Sequence, residues 1–266
     1  MSNSMKRLIL ICLALLLPLV LRGQDTDFGA RISAGVDYKI VKGLHINLEE
    51  ELRLEDMFQS VDRLQTTLGL SWKPLSFLKL GAGYIMINPF KDGEMQDMRH
   101  RLYADVTASW KVGDFTLSWR ERLQYTHRTG TFNVYQNTPD AFALKSRVGV
   151  KYRVSKDFKP SLSFEVRTAL NDPWGSAGTT TQVTASGKTY YPYTHEGYTH
   201  MYINRYRLNL GCEWNITKHH SLEPYVLVDS CSDYEIDTNS DGTRLFSAAY
   251  EDSINIIAGI GYVYSF

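Results

Sequence analysis

Residues 99–128 read RHRLYADVTASWKVGDFTLSWRERLQYTHR. On one side of Gly113-Asp114, Leu102, Ala104, Val106, Ala108, Trp110 and Val112 alternate with Arg101, Tyr103, Asp105, Thr107 and Lys111. On the other side, Phe115, Leu117, Trp119 and Leu123 alternate with Arg120, Arg122 and Gln124. A period of two places these sets on opposite faces of β-strands. A two-residue Gly-Asp link predicts a hairpin of fixed register. Pairing Val112 with Phe115 sets Asp105 opposite Arg122 as a salt bridge, Thr107 opposite Arg120, Arg99 opposite Arg128 and His100 opposite His127.

The pattern recurs along the chain, predicting strands at 28–40, 44–54, 64–72, 78–86, 102–112, 115–127, 142–154, 162–170, 206–216, 222–230 and 254–266. Connections alternate in length: 41–43, 74–77, 113–114, 155–159 and 217–221 are tight, whereas 56–62, 88–97, 129–141, 171–200 and 231–253 are long. Short turns at one end and long loops at the other are the pattern of an all-β, antiparallel up-and-down transmembrane β-barrel, with periplasmic turns and extracellular loops. Eleven strands would leave the first and last running the same way, whereas bacterial single-chain barrels have even counts. The expectation is therefore about 10–12 strands, with any missing one sought in 171–200 or 243–252.

Charge decides which face meets lipid. Glu49, Glu51, Arg53, Arg101, Asp105, Arg120, Arg122, Arg147, Lys151, Arg153, Glu165, Arg167, Arg205, Arg207 and Glu213 share the polar phase. A Lys or Arg at the bilayer midplane costs ~2–4 kcal/mol, so about ten of them facing lipid would cost roughly 20–40 kcal/mol. The charged face therefore lines the lumen. Tyr38, Trp72, Trp110, Tyr152, Trp214, Tyr262 and Tyr264 fall at the short-turn ends of the apolar face, as an interfacial girdle. A soluble sandwich or lipocalin-like barrel would instead turn the apolar face inward.

The ends agree with export. Met5-Lys6-Arg7 precedes an apolar run from Leu8 to Leu21 and then Arg22-Gly23-Gln24, the pattern of a secretory signal peptide over residues 1–23. Cys12 lies within it, and residues 24–266 form one barrel domain. Removing Lys6, Arg7 and Arg22 takes Lys+Arg from 29 to 26 against 29 acidic residues, a balance that gives no reason to expect nucleic acid. Cys212 and Cys231 remain, expected as free thiols because their positions do not pair. At the other terminus, INIIAGIGYVYSF runs from Ile254 to Phe266. It predicts a closing strand with Ile254, Ile256, Ala258, Ile260, Tyr262, Tyr264 and Phe266 toward lipid and Gly259 and Gly261 toward the lumen. Its terminal aromatics, Tyr264 and Phe266, resemble the signal read by outer-membrane assembly machinery.

Several stretches together carry a family resemblance: LHINLEEELRLED from Leu44, DRLQTTLGLSWKP from Asp62, LKLGAGY from Leu78, RHRLYADVTASWKVGDFTLSWRERLQY from Arg99 and NRYRLNLGCEWNITKHHSLEPYV from Asn204. With them the chain resembles an uncharacterised outer-membrane barrel family of Bacteroidota, DUF2490. The resemblance implies the barrel and a Gram-negative outer membrane, with outer-membrane lipid and the assembly machinery as partners. It brings no activity and no functional residue.

The charged set Glu49, Glu51, Arg53, Arg101, Asp105, Arg120, Arg122, Arg147, Glu165, Arg167, Arg205 and Arg207 could line a solute path or plug it. In a barrel of this size a charge-packed interior is expected, since side chains fill small barrels. His100 and His127 are read as interfacial polar residues rather than a metal pair. His195-Glu196 and His200 lack the four-residue histidine spacing of a zinc protease helix. Asp237-Thr238-Asn239-Ser240-Asp241-Gly242 matches the first half of a calcium loop, with Asp237, Asn239 and Asp241 as oxygen donors, but Ala248 stands where a bidentate glutamate belongs. An Asx-rich turn is the alternative to a weak site. Trp174, Tyr190, Tyr191, Tyr193 and Tyr198 in the 171–200 loop could form a contact surface for an extracellular ligand. The expected function is a non-enzymatic narrow pore, small-solute transporter or structural barrel, without cofactor. A lipid acylhydrolase is the alternative, with His100 and His127 as bases and no outward serine in register with them.

Overall fold

The computed structural model describes residues 25–266, so the expected signal peptide and Cys12 lie outside the described residues. Thirteen strands follow in order: β1 Asp25–Val41, β2 Leu44–Glu55, β3 Ser60–Leu75, β4 Leu78–Lys91, β5 Glu94–Met95, β6 Arg99–Val112, β7 Phe115–Arg128, β8 Asp140–Tyr152, β9 Phe158–Ala177, β10 Gln182–Val183, β11 Thr189–Asn215, β12 His220–Thr238 and β13 Arg244–Ser265. β5 and β10 are two-residue ribbons on β4 and β11, and the other eleven close into a barrel. Ten of its eleven neighbouring pairs are antiparallel. The closing pair is parallel: β1 lies on β13 from Asp25 opposite Ser253 to Asp37 opposite Ser265. The even-number expectation is corrected here, because a parallel ladder leaves no unpaired edge and satisfies backbone groups as an antiparallel one does.

The apolar phase points outward. Ile32, Leu102 and Trp119 are each more than half exposed, whereas Glu165 and Asp229 are 2 % exposed in the interior. That distribution excludes the apolar-inside sandwich. The aromatic girdle stands outward near the short turns, with Tyr38, Trp72, Trp110, Tyr152, Trp214 and Tyr262 exposed. Some positions depart from the alternation rule. Ile85 and Ile87 face inward and are buried, Ile254 is buried rather than lipid-facing, and Glu50 joins Glu121 on the outer face. Each of these carboxylates is held by a neighbouring hydroxyl, Thr66 to Glu50 at 2.7 Å and Ser146 to Glu121 at 2.6 Å.

The long outer connections are corrected as well. β9 and β11 continue as a hairpin well beyond the expected strand ends, as do β12 and β13, so 171–200 and 231–253 are mainly strand. Beyond an apolar band the outward residues no longer need to be apolar, so the alternation fades while Tyr and Thr keep their β preference. The 56–62 connection is a tight turn whose Asp56, Met57 and Phe58 all have positive φ. Asp27 caps it by accepting from the Asp56 and Met57 amides. At the C-terminus the Phe266 amide donates to the Asp37 carbonyl at 3.0 Å, and its ring packs on Tyr38 and Tyr264.

Candidate functional site in the barrel interior

Adjacent strands ~4.8 Å apart and tilted ~40° give eleven strands a backbone diameter of about 22 Å. Inward side chains reduce that to roughly 10 Å, a gap that a long cation from one wall and a carboxylate from another can bridge. The β6–β7 hairpin realises the sequence register at every position named above, from Val112 opposite Phe115 to Arg99 opposite Arg128. Asp105 accepts from Arg122 Nη2 at 2.6 Å and Nε at 3.0 Å, and the guanidinium stacks on Tyr103.

Across the middle of the lumen these pairs join into a waist. Glu165 on β9 accepts from Arg120 at 3.0 Å and Arg147 at 2.9 Å, with Arg207 at 3.5 Å and Lys145 at 3.8 Å. Arg207 bridges onward to Asp229 on β12 through Nε and Nη2, at 3.0 and 2.9 Å, and Arg205 adds a longer contact. Arg53 bonds Glu51, while Lys151 and Lys159 converge on Glu213. Inward glycines admit the rings that complete the filling. A Cβ on Gly83 would lie 2.5 Å from the Tyr103 hydroxyl, and one on Gly259 would lie 2.1 Å from the Tyr225 ring.

The waist separates two cavities that share no lining residue. The one toward the short turns, about 580 Å³, is lined by Asp37, His45, Glu49, Lys79, Arg120 and Glu223 among others. The upper one, about 690 Å³, is lined by Arg53, Arg63, Arg99, Arg101, Arg128, Lys145, Arg167, Arg205 and Arg207, with Asp172, Asp233, Glu235, Asp237 and Glu251. The β7–β8 connection crosses its mouth. Asn133 donates to Thr238 Oγ1 at 3.1 Å, Gln136 donates to Asp237 at 3.2 Å, and Tyr198 donates to the Val134 carbonyl at 2.9 Å.

Most of the charged residues expected in the lumen take part in the waist or line the cavities, and Lys151 and Glu213 pair with each other nearer the short turns. Arg153 is corrected: it lies beyond the end of β8, exposed beside Asp114 at 2.8 Å. Asp229, Lys145, Tyr103 and Tyr225 were not singled out by sequence, although each lies on the inward phase of its strand. The Asp237–Gly242 turn is self-capped. Asn239 Oδ1 accepts from the Thr243 and Arg244 amides, Asp241 accepts from the Thr243 hydroxyl, and Asp237 turns to Gln136 and Lys188. The Thr243 hydroxyl and amide hold the Asp241 carboxyl below its ordinary range.

His100 bonds the Tyr84 hydroxyl at 2.6 Å and His127 bonds Asp140 at 2.8 Å. Ser146, the outward serine of β8, donates to Glu121 instead of either histidine. His195 and His200 lie on a strand with bulges, not on a helix, and His200 sits among Trp174, Tyr202, Tyr234 and Tyr250. Of the tyrosine-rich set, Tyr193 is buried against Ile236 and Leu245, while Tyr191 and Trp174 stay exposed. Cys212 and Cys231 are free thiols.

Among solved structures, the chain is similar to the anion-selective porin from Comamonas acidovorans, at 12% identity and a TM-score of 0.33 over 84% of this chain; it spans 53% of that porin's length. It is also similar to the NanC porin, at 12% identity and a TM-score of 0.43, with 90% of this chain and 99% of that one covered. No curated protein matches it. A family model described as "Protein of unknown function (DUF2490)" matches residues 28–234, which is most of the barrel, and the chain belongs to that family.

Proposed function

We propose that this chain is an outer-membrane barrel of a Gram-negative bacterium that acts as a low-conductance pore for small solutes, with passage limited at the waist. The observation that carries the reading is the Glu165–Arg207–Asp229 knot, which draws cations from β7, β8 and β11 onto two buried carboxylates between separate cavities. An exposed band of Leu, Ile, Val and Trp around the wall supports a lipid setting, because a water-facing surface rarely carries so continuous an apolar area. Phe266, seated on the last strand pair beside Tyr264, supports delivery by the assembly machinery.

Planar-bilayer recording tests the function. The wild-type barrel is expected to give small unitary currents, and Glu165→Ala combined with Arg207→Ala is expected to raise them several-fold by unblocking the waist. A wild-type conductance as large as that of an open porin, or no rise in the double variant, would overturn the reading.

A further inference from the structure

The waist consumes its charges in pairs, but the upper cavity does not. Arg99 and Arg128 on the β6–β7 wall, Arg101 beside them and Arg167 on β9 all line it, and none of the four makes an ion pair among the described residues. Among the described residues the Arg101 side chain bonds only the Thr126 hydroxyl, at 2.9 Å, and Arg128 bonds the Asn137 side-chain oxygen at 3.1 Å. The register sets like against like: Arg99 opposite Arg128, Arg167 between Lys145 and Arg205, and Arg53 opposite Arg63. Like charges directly opposite one another weaken a sheet. The same chain neutralises its cations a few residues lower, so this cluster is a departure from its own practice.

We infer that the upper cavity is a binding site for a small, multiply charged oxyanion bearing phosphate or clustered carboxylate oxygens. This rests on reading the interior as a solute-facing lumen. Guanidinium groups present paired N–H donors that match such oxygens two at a time. Four of the cavity's five carboxylates lie away from the β6–β7 wall, and the fifth, Asp172, shares β9 with Arg167. Asp233, Glu235, Asp237 and Glu251 belong to the β12–β13 hairpin, which the strand order places across the barrel from β6 and β7. Asp172 accepts from the Tyr202 hydroxyl, and Asp233 accepts from Asn204. An anion is therefore drawn to the arginine wall and repelled from the wall opposite. Gln136, Asn137 and Thr138 from the β7–β8 connection add polar groups at the roof. The narrow, charge-paired waist beneath makes the site a capture point rather than a stretch of wide channel.

The test is calorimetric titration of the whole barrel in detergent micelles with sodium pyrophosphate and, separately, with citrate, against sodium chloride of equal ionic strength. Saturable binding is expected in at least one arm, and the stronger arm identifies the oxyanion class. Arg101→Gln with Arg167→Gln is expected to weaken it by about tenfold or more, because two forks are lost. The same variant should unfold no earlier than wild type in chloride alone, since like-charge repulsion is relieved. Lys42→Gln, in an exposed turn at the other end, should leave binding unchanged. If the glutamine variant does not fold, Arg101→Lys with Arg167→Lys keeps the charge and removes the forks, and weaker binding is again expected. No saturable binding of either anion, or wild-type affinity in these variants, would overturn the site. Binding is measured without a bilayer, so failure of the pore reading would appear in conductance alone.

Discussion

Glu165 is the residue whose charge the interior depends on most. Its side chain is 3 % exposed, with four cations drawn from three strands. Glu165→Gln keeps the shape and removes the charge, leaving those cations without their shared partner. The expected loss is about 3 kcal/mol of unfolding free energy, read by urea titration in micelles, because breaking a buried pair strands the remaining charge. An unchanged midpoint would mean that lumenal water neutralises the cluster. The Asp105–Arg122 pair offers a cleaner reversal: Asp105→Arg alone should destabilise the barrel, and adding Arg122→Asp should restore most of the loss. That pair was legible from sequence because a two-residue turn counts the register outward from itself. The Glu165 cluster was not, because its partners come from β7, β8 and β11, and the 155–159 connection to β8 fixes no unique offset.

At the scale of the element, the β2–β3 turn is built against the usual preference. Asp56, Met57 and Phe58 hold φ of 51°, 54° and 70°, a region that costs side-chain-bearing residues roughly 1–2 kcal/mol each. The Asp27 carboxylate offsets part of this by capping two amides of the turn. Phe58→Gly is therefore expected to raise stability by about 1 kcal/mol in the same urea titration. A decrease would show that the ring's contacts within the barrel outweigh the backbone strain. Sequence placed this turn between the right strands but took it for a long loop, since no glycine announces it. The outer hairpins were missed for a related reason. Where water replaces lipid outside the wall, Tyr, Thr and His can occupy both faces, and the two-residue rhythm that marks a strand disappears although the ladder continues.

For the whole molecule, the individual strands were legible, but the parity of eleven left their number at about 10–12, and the closure was not legible. Each of the eleven long strands has its own alternation, but alternation is the same whether a neighbour runs parallel or antiparallel. Only the ends of the count reveal the direction of the seam. Cysteine cross-linking checks it directly. With Cys212 and Cys231 changed to Ser, Ile32→Cys and Ile260→Cys should form a disulfide, since these residues are paired in the parallel register and both face outward. Failure to cross-link, or an efficient link from Ile32 to a residue several positions away, would replace this closure with another. The seam also constrains how the molecule could be rewired. In most domains the chain ends lie close together, so joining them and cutting elsewhere preserves the fold. Here β1 starts at one rim beside Ser253, while β13 finishes at the other beside Asp37. Any link between those ends would have to traverse the full height of the wall, in effect as a twelfth crossing. Circular permutation is thus closed to this barrel unless a strand is gained or lost, and its odd count is locked to one order of its strands.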